Sequence, residues 1–208
     1  METTLSVRLR EGTKESHRLA ERSPFIQKFF KGELTVAEYR TFLLQLLFIY
    51  QGLEDCHLVH IENEKLSMVF FPELFRSKVI QQDLHYYYGN SGWKKLKPNK
   101  ATKKYLNHIT SLSVGWVEGL IPHLYTRYLG DLSGGQALKR ILIKTFNLTS
   151  AEGVAFYDFP QIENQKQFKE NYRALLDSMA FDESTISKIV DEANLAFQLN
   201  RDVFDSLI

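Results

Sequence analysis

Apolar residues recur every three or four positions along most of the chain, which is the spacing that places them on one face of an α-helix. Thr35-Val-Ala-Glu38 matches a capping box and begins the longest such pattern, which continues to about Glu64. The predicted helices span residues 3–22, 25–31, 35–64, 73–88, 105–119, 120–146, 161–180 and 183–207. No strand-like alternation, internal repeat or domain linker interrupts them. The sequence therefore predicts an all-α protein in which residues 1–208 form a single domain.

The composition is that of a water-soluble globular protein, with 44% hydrophobic and 25% charged residues among 208. The formal net charge is +1, so no overall charge favours nucleic acid as a partner. The single cysteine excludes an intrachain disulfide and is consistent with a reducing compartment. The first residues lack the apolar core of a signal peptide, and the longest apolar run, Phe42 to Tyr50, is far too short to span a membrane. We therefore expect a cytoplasmic protein without a membrane anchor.

Three glycines interrupt the predicted helix 120–146, although each costs about 1 kcal/mol relative to alanine in a helix interior. Gly130 and Gly134 are four residues apart, as are Asp131 and Gly135, so the bare positions fall on one side of the helix. Such a surface allows another helix to pack closely, or allows the backbone to lie against a flat ligand. Asp131 is the only carboxylate within the bare patch, and spacing alone leaves both interpretations open.

One face of the first predicted helix carries four polar side chains, at intervals of four, three and four residues: Arg10, Lys14, His17 and Glu21. A lone histidine is more often a packed or surface residue than a ligand, and cations on a helix face are often only solvated. An iron porphyrin, however, has a metal at its centre and two carboxylates at one edge. At 1.5 Å per residue, the two cations lie about 4 and 10 Å from His17 along the axis. This helix can therefore ligate iron through the imidazole and hold the propionates with Lys14 and Arg10.

The two helices together can enclose one flat ligand. The bare backbone of the second helix would lie against the ring, on the side opposite His17. Asp131 would then hold a water that donates a hydrogen bond to dioxygen, and Arg127, one turn earlier, would orient that carboxylate or the water. The combination favours a haem site over simple helix packing.

Two segments resemble those of a known protein family. The stretch Tyr125-Thr-Arg-Tyr-Leu-Gly-Asp-Leu-Ser-Gly-Gly-Gln-Ala-Leu-Lys139 resembles the distal-helix signature of the haem oxygenases, and it is long and specific. Leu9-Arg-Glu-Gly-Thr-Lys-Glu-Ser-His-Arg-Leu-Ala-Glu21 is similar to their proximal helix. Further similarity covers residues 25–32, 82–89, 168–173 and 196–200. The resemblance implies an all-α, haem oxygenase-like fold, with haem sandwiched between a proximal helix and a kinked, glycine-bearing distal helix.

The resemblance also implies a role for each matching residue. His17 would be the proximal iron ligand, with Glu21 beside it in the haem site. Asp131 would organise the distal water, with Arg127 and Tyr50 in its hydrogen-bond network. The other implied contacts are backbone contacts at Gly130, Gly134 and Gly135, propionate contacts at Arg10, Lys14, Tyr125, Lys169 and Arg173, and pocket-wall contacts at Phe197 and Asn200.

The reaction implied by the resemblance uses haem as both cofactor and substrate. Dioxygen and electrons would open the ring to biliverdin, with release of carbon monoxide and ferrous iron. A neutral histidine ligand would avoid the strong electron donation of a thiolate, which drives O–O cleavage in other haem enzymes. Lys169 and Arg173 resemble the arrangement that selects the alpha carbon of the ring, so biliverdin IX-alpha is the expected product.

The electrons are expected from another protein, because the sequence has no dinucleotide-binding fingerprint, no P-loop and no cysteine set for an iron–sulfur centre. The densest local charge is a lysine cluster, formed by Lys94, Lys95, Lys97, Lys100, Lys103 and Lys104. No nucleic-acid-binding motif accompanies it. The lysine cluster is either a solvated loop or a docking surface for an acidic electron donor such as ferredoxin or a flavoprotein reductase.

Two other functions are compatible with parts of the sequence. Glu54-Asp-Cys-His57 has the Glu-x-x-His spacing of a di-iron carboxylate site, but no second copy of the motif is present. A non-catalytic haem carrier or sensor would use the same fold, and the presence of both His17 and Asp131 argues against it. Cys56 and the remaining histidines are expected to be structural or exposed.

Overall fold

Helices make up the regular structure of residues 4–208, the range that this computed structural model describes, and no strand occurs in that range. The α-helices are α1 (Leu5–Gly12), α2 (Lys14–Glu21), α3 (Pro24–Phe30), α4 (Val36–Val59), α5 (Ser77–Tyr88), α6 (Lys100–Gly115), α7 (Leu120–Leu124), α8 (Gly130–Thr145), α9 (Gln165–Ser178) and α10 (Glu183–Asp205). A π-helical segment, Tyr125–Leu129, joins α7 to α8. Short 3-10 helices span Leu66–Val69, Pro72–Leu74, Ser91–Lys95, Val117–Gly119 and Ala155–Tyr157. The all-α prediction is confirmed. Within residues 4–208, none of the helices has the length and apolar character that crossing a bilayer requires.

Helix α4 lies at the centre of the core, because apolar side chains cover most of its circumference rather than one stripe. Tyr39 and Leu43, for example, are both fully buried, and α5, α6 and α7 all pack against this helix. The predicted capping box is present: Thr35 Oγ1 accepts the amide hydrogen of Glu38 at 3.2 Å, and Glu38 Oε2 accepts that of Thr35 at 2.7 Å. The helix ends at Val59, earlier than the pattern predicted.

The single helix predicted over residues 3–22 is wrong, because the chain leaves the helical conformation at Thr13. Its backbone has φ −108° and ψ 2°, and its Oγ1 donates a hydrogen bond to the Leu9 carbonyl at 2.7 Å. A hydroxyl that bonds back by four residues competes with the helix's own hydrogen bonds. The break places Arg10 on α1 and His17 on α2, so the predicted polar face is shared by two short helices.

Helix α5 begins at Ser77 rather than near residue 73, because a side chain from another helix caps it. The buried carboxylate of Glu54, on α4, accepts the amide hydrogens of Arg76 at 2.6 Å and Ser77 at 3.0 Å. These are amides that a helix start leaves without partners. The helix ends at Tyr88, as predicted, and Gly89, with φ +66°, caps it in the left-handed conformation that glycine adopts readily.

The predicted glycine-bearing helix 120–146 is present but is not a regular α-helix throughout. It consists of α7, the π-helical segment and α8, which we together call the distal helix. The π segment ends immediately before Gly130, so the helix changes from π to α geometry at the start of its glycine-bearing stretch. Segments of this type are frequent at functional sites. Helix α10 packs against both α2 and α7, which brings the first part of the chain opposite the distal helix.

Candidate functional site

A cleft of about 190 Å³ lies between α2 and the distal helix. Its lining includes His17, Ala20 and Glu21 of α2, Arg127, Gly130, Asp131, Gly134 and Gly135 of the distal helix, Phe197 and Asn200 of α10, and Phe156 and Tyr157. An adjoining cleft of about 300 Å³ shares His17, Gly130 and Phe197 with the first. The two clefts therefore form one groove, and its second part, which we call the mouth, also includes Arg10, Lys14, Tyr125 and Arg173.

The His17 side chain lies in this groove and is not a packed core residue, since 56% of it is exposed. Its Nδ1 lies 3.7 Å from Oε2 of Glu21, one turn along α2. Its ring also meets the Phe197 ring edge-on, with the ring centroids 5.5 Å apart. Because Nδ1 faces Glu21, Nε2 is the ring nitrogen left to bind a metal.

Two of the three glycines face open space, which decides between the two interpretations of their spacing. A Cβ atom added to Gly130 or Gly134 would meet no atom within 4 Å among the described residues. A close helix crossing would place a neighbouring backbone there, so the ligand-facing interpretation is the better one for these two. Gly135 differs, because its added Cβ would lie 3.1 Å from Cδ1 of the buried Tyr157 ring. That glycine borders the cleft but makes room for an aromatic side chain.

A tyrosine from α4 stands between the two charged residues of the distal helix. The Tyr50 hydroxyl donates to Oδ2 of Asp131, and it accepts from Nε and Nη2 of Arg127 at 3.1 and 2.9 Å. The direct separation between Arg127 Nη2 and Asp131 Oδ1 is 3.8 Å, which is too long for a hydrogen bond. Oδ1 of Asp131 therefore remains available to a water or ligand in the cleft.

Burial dominates the acid–base properties of this group. It raises the pKa of Asp131, while the charge of Arg127 and the hydrogen bond from Tyr50 act in the opposite direction. It also raises the pKa of Tyr50 well above the ordinary tyrosine value, so this hydroxyl stays protonated and remains a donor. Burial disfavours the charge on Arg127, but Tyr50 and Asp131 outweigh that effect and raise its pKa. The site thus contains a permanent cation and a carboxyl group that accepts a proton more readily than an exposed one.

Asn200 has two roles in the structure, one of which the sequence did not indicate. It lines the cleft as the resemblance implied, and its Oδ1 accepts a hydrogen bond from Nη1 of Arg127 at 2.8 Å. Its Nδ2 donates to the Ala196 carbonyl at 2.8 Å and lies 3.5 Å from the Tyr105 hydroxyl. The Arg127 guanidinium is therefore held between α4 and α10.

The residues predicted to bind the propionates lie at the mouth of the groove. Arg10, Lys14, Tyr125 and Arg173 all line it. Lys169 lies beside them, where its Nζ is 3.3 Å from Oγ of Ser133, another residue of the mouth. Both Arg10 and Lys14 form hydrogen bonds with the exposed Glu11, which lowers the pKa of that carboxyl. The structure thus brings these cations together at one edge of the groove, although the pairing with Glu11 was not predicted.

The di-iron interpretation does not fit the structure. Glu54 is committed to the start of α5, and His57 is buried with its Nε2 3.1 Å from the Leu66 carbonyl. Cys56 is half-buried, and burial raises the pKa of its thiol, as expected for a packing residue rather than a thiolate ligand. These three residues serve the fold around α4.

Phe156 and Tyr157 form part of the cleft wall but were not predicted. They belong to a 3-10 helix whose backbone is held by Asp83, which accepts the amide hydrogens of Ala155 at 2.9 Å and Phe156 at 2.8 Å. Such a segment has no hydrophobic periodicity, and its anchor lies more than seventy residues earlier in the chain. The only local signal is the aromatic run that ends at Phe159.

These features fit an iron porphyrin. A flat ring needs open space beside a bare backbone, which Gly130 and Gly134 provide. Its iron needs an accessible imidazole on one face, which is His17, and its two carboxylates need cations at one edge, which the mouth supplies. The chemistry of this donor set therefore agrees with the group that the sequence implied.

Comparisons with known proteins agree with this geometry. The family model described as "Heme oxygenase" matches residues 3–206. The heme oxygenase of Rhodella violacea is 43% identical over 206 residues, which cover 99% of this chain and 88% of that protein. The crystal structure of heme oxygenase-1 from the cyanobacterium Synechocystis, in complex with heme, superposes with a TM-score of 0.94 at 40% identity, covering 98% of this chain and 92% of that one. Heme oxygenase-2 from the same organism, in complex with heme and NO, gives a TM-score of 0.95 at 42% identity, covering 99% and 85%.

A shared family follows from both comparisons, and the all-α fold implied by the resemblance is confirmed. The family model matches nearly all of the sequence, and the Rhodella violacea relative is 43% identical over 99% of this chain. This chain belongs to the haem oxygenases, a family of haem-degrading enzymes.

Proposed function

We propose that this chain is a cytoplasmic haem oxygenase whose 208 residues act as one domain. It opens haem to biliverdin, in the IX-alpha form, and releases carbon monoxide and ferrous iron, using dioxygen and electrons from an external donor. The observation that carries the proposal is the open space beside Gly130 and Gly134, which faces the exposed imidazole of His17 and borders the carboxylate of Asp131.

His17 holds the iron through Nε2. Its Nδ1 lies 3.7 Å from the Glu21 carboxylate, so Nε2 is the nitrogen that would bind the iron. When bound, haem supplies both the iron that activates dioxygen and the ring that is opened. The protein would hold that ring in position and deliver protons.

Asp131 is the proton-handling group on the opposite face. Its Oδ2 accepts from Tyr50, which leaves Oδ1 to hold a water in the cleft. Arg127 does not contact Oδ1 directly but fixes the Tyr50 hydroxyl, so it acts as a positioning residue. Because burial raises the pKa of Asp131, this carboxyl can take up and return a proton nearer neutral pH than an exposed aspartate.

The mouth fixes the rotation of the ring in its plane. We assign the propionates to its cations and tyrosine: Arg10, Lys14, Tyr125, Lys169 and Arg173. The haem carboxylates would compete with Glu11 for Arg10 and Lys14, and an exposed ion pair of this kind is weak enough to be exchanged. Gly130 and Gly134 would provide backbone contacts to the ring, Gly135 borders the cleft, and Phe197 and Asn200 would form the far wall.

Reconstitution with haem tests the proposal directly. The haem-loaded chain should show a Soret band and, with ascorbate and air, yield biliverdin IX-alpha by chromatography and carbon monoxide by its binding to ferrous myoglobin. His17→Ala should change the haem spectrum and abolish turnover, whereas Asp131→Ala should bind haem but lose biliverdin formation. His85→Ala, at an exposed position on α5, is the matched control. An unchanged spectrum in His17→Ala, or wild-type biliverdin formation in Asp131→Ala, would refute the assigned roles.

We also propose that the lysine cluster binds an acidic electron donor, such as ferredoxin or a flavoprotein reductase. All six lysines are exposed: two on the 3-10 helix Ser91–Lys95, Lys97 in the connection that follows, and three at the start of α6. The cluster adjoins the end of α10, since Lys104 donates to Asp202 at 2.8 Å. Phe204, two residues further along α10, lines the haem cleft, so the cluster borders the helix that forms one wall of the site.

Charge reversal separates donor docking from chemistry. The triple variant Lys94→Glu, Lys95→Glu, Lys97→Glu should turn over haem more slowly with a protein donor, and the difference from wild type should shrink as salt rises. With ascorbate, which needs no docking surface, the variant and wild type should be equally active. Equal rates with the protein donor at low salt would favour the solvated-loop interpretation.

A further inference from the structure

Three helices bring two histidines and a glutamate together outside the haem site. His108 lies on α6, His123 on α7 and Glu192 on α10. The Nε2 atoms of both imidazoles donate to Oε1 of Glu192, at 2.6 Å for His108 and 2.8 Å for His123. The three ligand atoms all lie within 4.8 Å of one another. No sequence motif indicates this cluster, because the three residues are far apart along the chain.

The three side chains differ in exposure in a way that suits a metal site reached from the surface. His123 is fully buried, 10% of the Glu192 side chain is exposed, and 27% of His108 is exposed. Two ligands are therefore fixed by packing, while the third lies at the opening, where it can adjust and where a solvent ligand can complete the coordination. Some catalytic zinc sites have this arrangement, with two histidines, one glutamate and a solvent ligand in the fourth position.

We propose that His108, His123 and Glu192 form a binding site for a divalent first-row transition-metal ion, with Zn²⁺ as a suitable probe. Two imidazoles and one carboxylate are the ligands that zinc and ferrous iron accept, and they favour these ions over magnesium or calcium. Ligand atoms about 2.1 Å from a tetrahedral ion stand roughly 3.4 Å apart, so the present hydrogen-bonded separations need to widen by less than about 1 Å. Binding of the ion requires the hydrogen on each Nε2, which now points at Glu192, to move to Nδ1 of the same ring, so both imidazoles stay neutral.

A hydrogen-bond partner on the far side of His123 supports the assignment. The Tyr105 hydroxyl lies 3.0 Å from Nδ1 of His123 and now donates to it, because Nε2 carries the hydrogen. With an ion on Nε2, the hydrogen moves to Nδ1 and the Tyr105 oxygen becomes its acceptor. Metal-binding histidines usually have such a partner, whose loss typically weakens binding about 10- to 100-fold. The site already contains it.

Equilibrium dialysis of Zn²⁺ against the tag-free full-length chain, without haem, tests the site independently of the proposed reaction. Wild type should bind one ion per chain at this site, and a concentration about 100 times the Kd should raise the Tm by roughly 5–10 °C. His108→Ala and Glu192→Gln should weaken binding at least tenfold and lose the Tm increase. Tyr105→Phe should weaken it about 10- to 100-fold.

Two control variants separate this site from other histidines. His60→Ala removes a half-buried imidazole at the end of α4, and His85→Ala removes an exposed one on α5. Both should keep the wild-type Zn²⁺ affinity. The Tm without metal identifies any variant that has simply lost its fold, and His108 is exposed enough for its replacement to be tolerated. Wild-type affinity in His108→Ala and Glu192→Gln, or no saturable binding in wild type, would overturn the proposal.

Discussion

The substitution Gly134→Ala tests whether the glycine at this position leaves space for a ligand or for packing against another part of the protein. In a regular helix the replacement should be favourable, since glycine costs about 1 kcal/mol relative to alanine. The added methyl group meets no atom within 4 Å, so no packing cost among the described residues opposes that gain. For a chain of this size, 1 kcal/mol corresponds to a Tm increase of roughly 2–4 °C. Gly134→Ala should therefore stabilise the haem-free protein.

The same methyl group should weaken haem binding. It occupies the open space in which the proposed ring lies against the backbone, and overfilling a packed contact typically costs about 1–3 kcal/mol. This range corresponds to a roughly 5- to 150-fold higher Kd for haem. Opposite effects on the Tm of the haem-free chain and on haem affinity are the signature of a glycine retained for its ligand.

Gly135→Ala is the matched control, one residue further along the same helix. Its methyl group would stand 3.1 Å from Cδ1 of Tyr157, a ring that is 1% exposed and has little freedom to move. The resulting strain should offset the helical gain, so the Tm should stay level or fall. Tm is measured by thermal unfolding followed by circular dichroism, and haem affinity by titration of the Soret band.

Two results would refute this reasoning. If Gly134→Ala lowers the Tm of the haem-free chain, the space beside Gly134 is not open in solution. If it raises the Tm but leaves haem affinity within about twofold of wild type, the ring does not lie against this part of the helix, and the distal wall must be placed elsewhere.

Tyr50→Phe removes a hydrogen bond that lowers the pKa of Asp131, so the pKa of this carboxyl should rise and the acid limb of the pH–rate profile should move to higher pH. A profile unchanged from wild type would show that Asp131 does not set that limb. Asp83→Asn tests a second carboxyl, since burial raises the pKa of Asp83 from 3.8 to about 6 in the folded protein. A carboxyl whose pKa is raised on folding stabilises the folded protein when pH is below its unfolded-state pKa. This stabilisation is lost as pH rises through its folded-state pKa. The free energy of unfolding of wild type relative to Asp83→Asn should therefore fall by roughly 2–3 kcal/mol between pH 4 and 7, measured by urea denaturation, and a pH-independent difference would contradict this.

Local sequence patterns predicted much of the fold correctly. The predictions that failed have a common physical cause. The capping box at Thr35 and the end of α5 at Tyr88 depend on neighbouring residues only, and both were predicted correctly. The start of α5 depends on Glu54, a residue of another helix, so no local pattern could reveal it. The break at Thr13 results from a side-chain hydrogen bond that competes with the helix and that periodicity does not register.

The same distinction applies to the candidate site. Residues inside the two recognisable motifs, such as His17 and Asp131, were predicted and lie on opposite sides of one groove. Phe156 was not predicted, because its position depends on the buried Asp83 carboxylate. A motif identifies the residues it contains, whereas the walls of a site also depend on contacts between distant segments.

The π-helical segment explains how one helix combines a bare surface with a buried charge. A π turn takes one more residue than an α turn, so side chains before and after it are rotated relative to an uninterrupted helix. Arg127, inside the turn, reaches Tyr50 on α4 and Asn200 on α10, while Asp131, just after it, remains at the edge of the cleft. Arg127 therefore belongs to the wall of the cleft, where its guanidinium is bound by Tyr50 and Asn200. The glycines keep the neighbouring space free of side chains, and the contact between Arg127 and Tyr50 orients the Asp131 carboxylate.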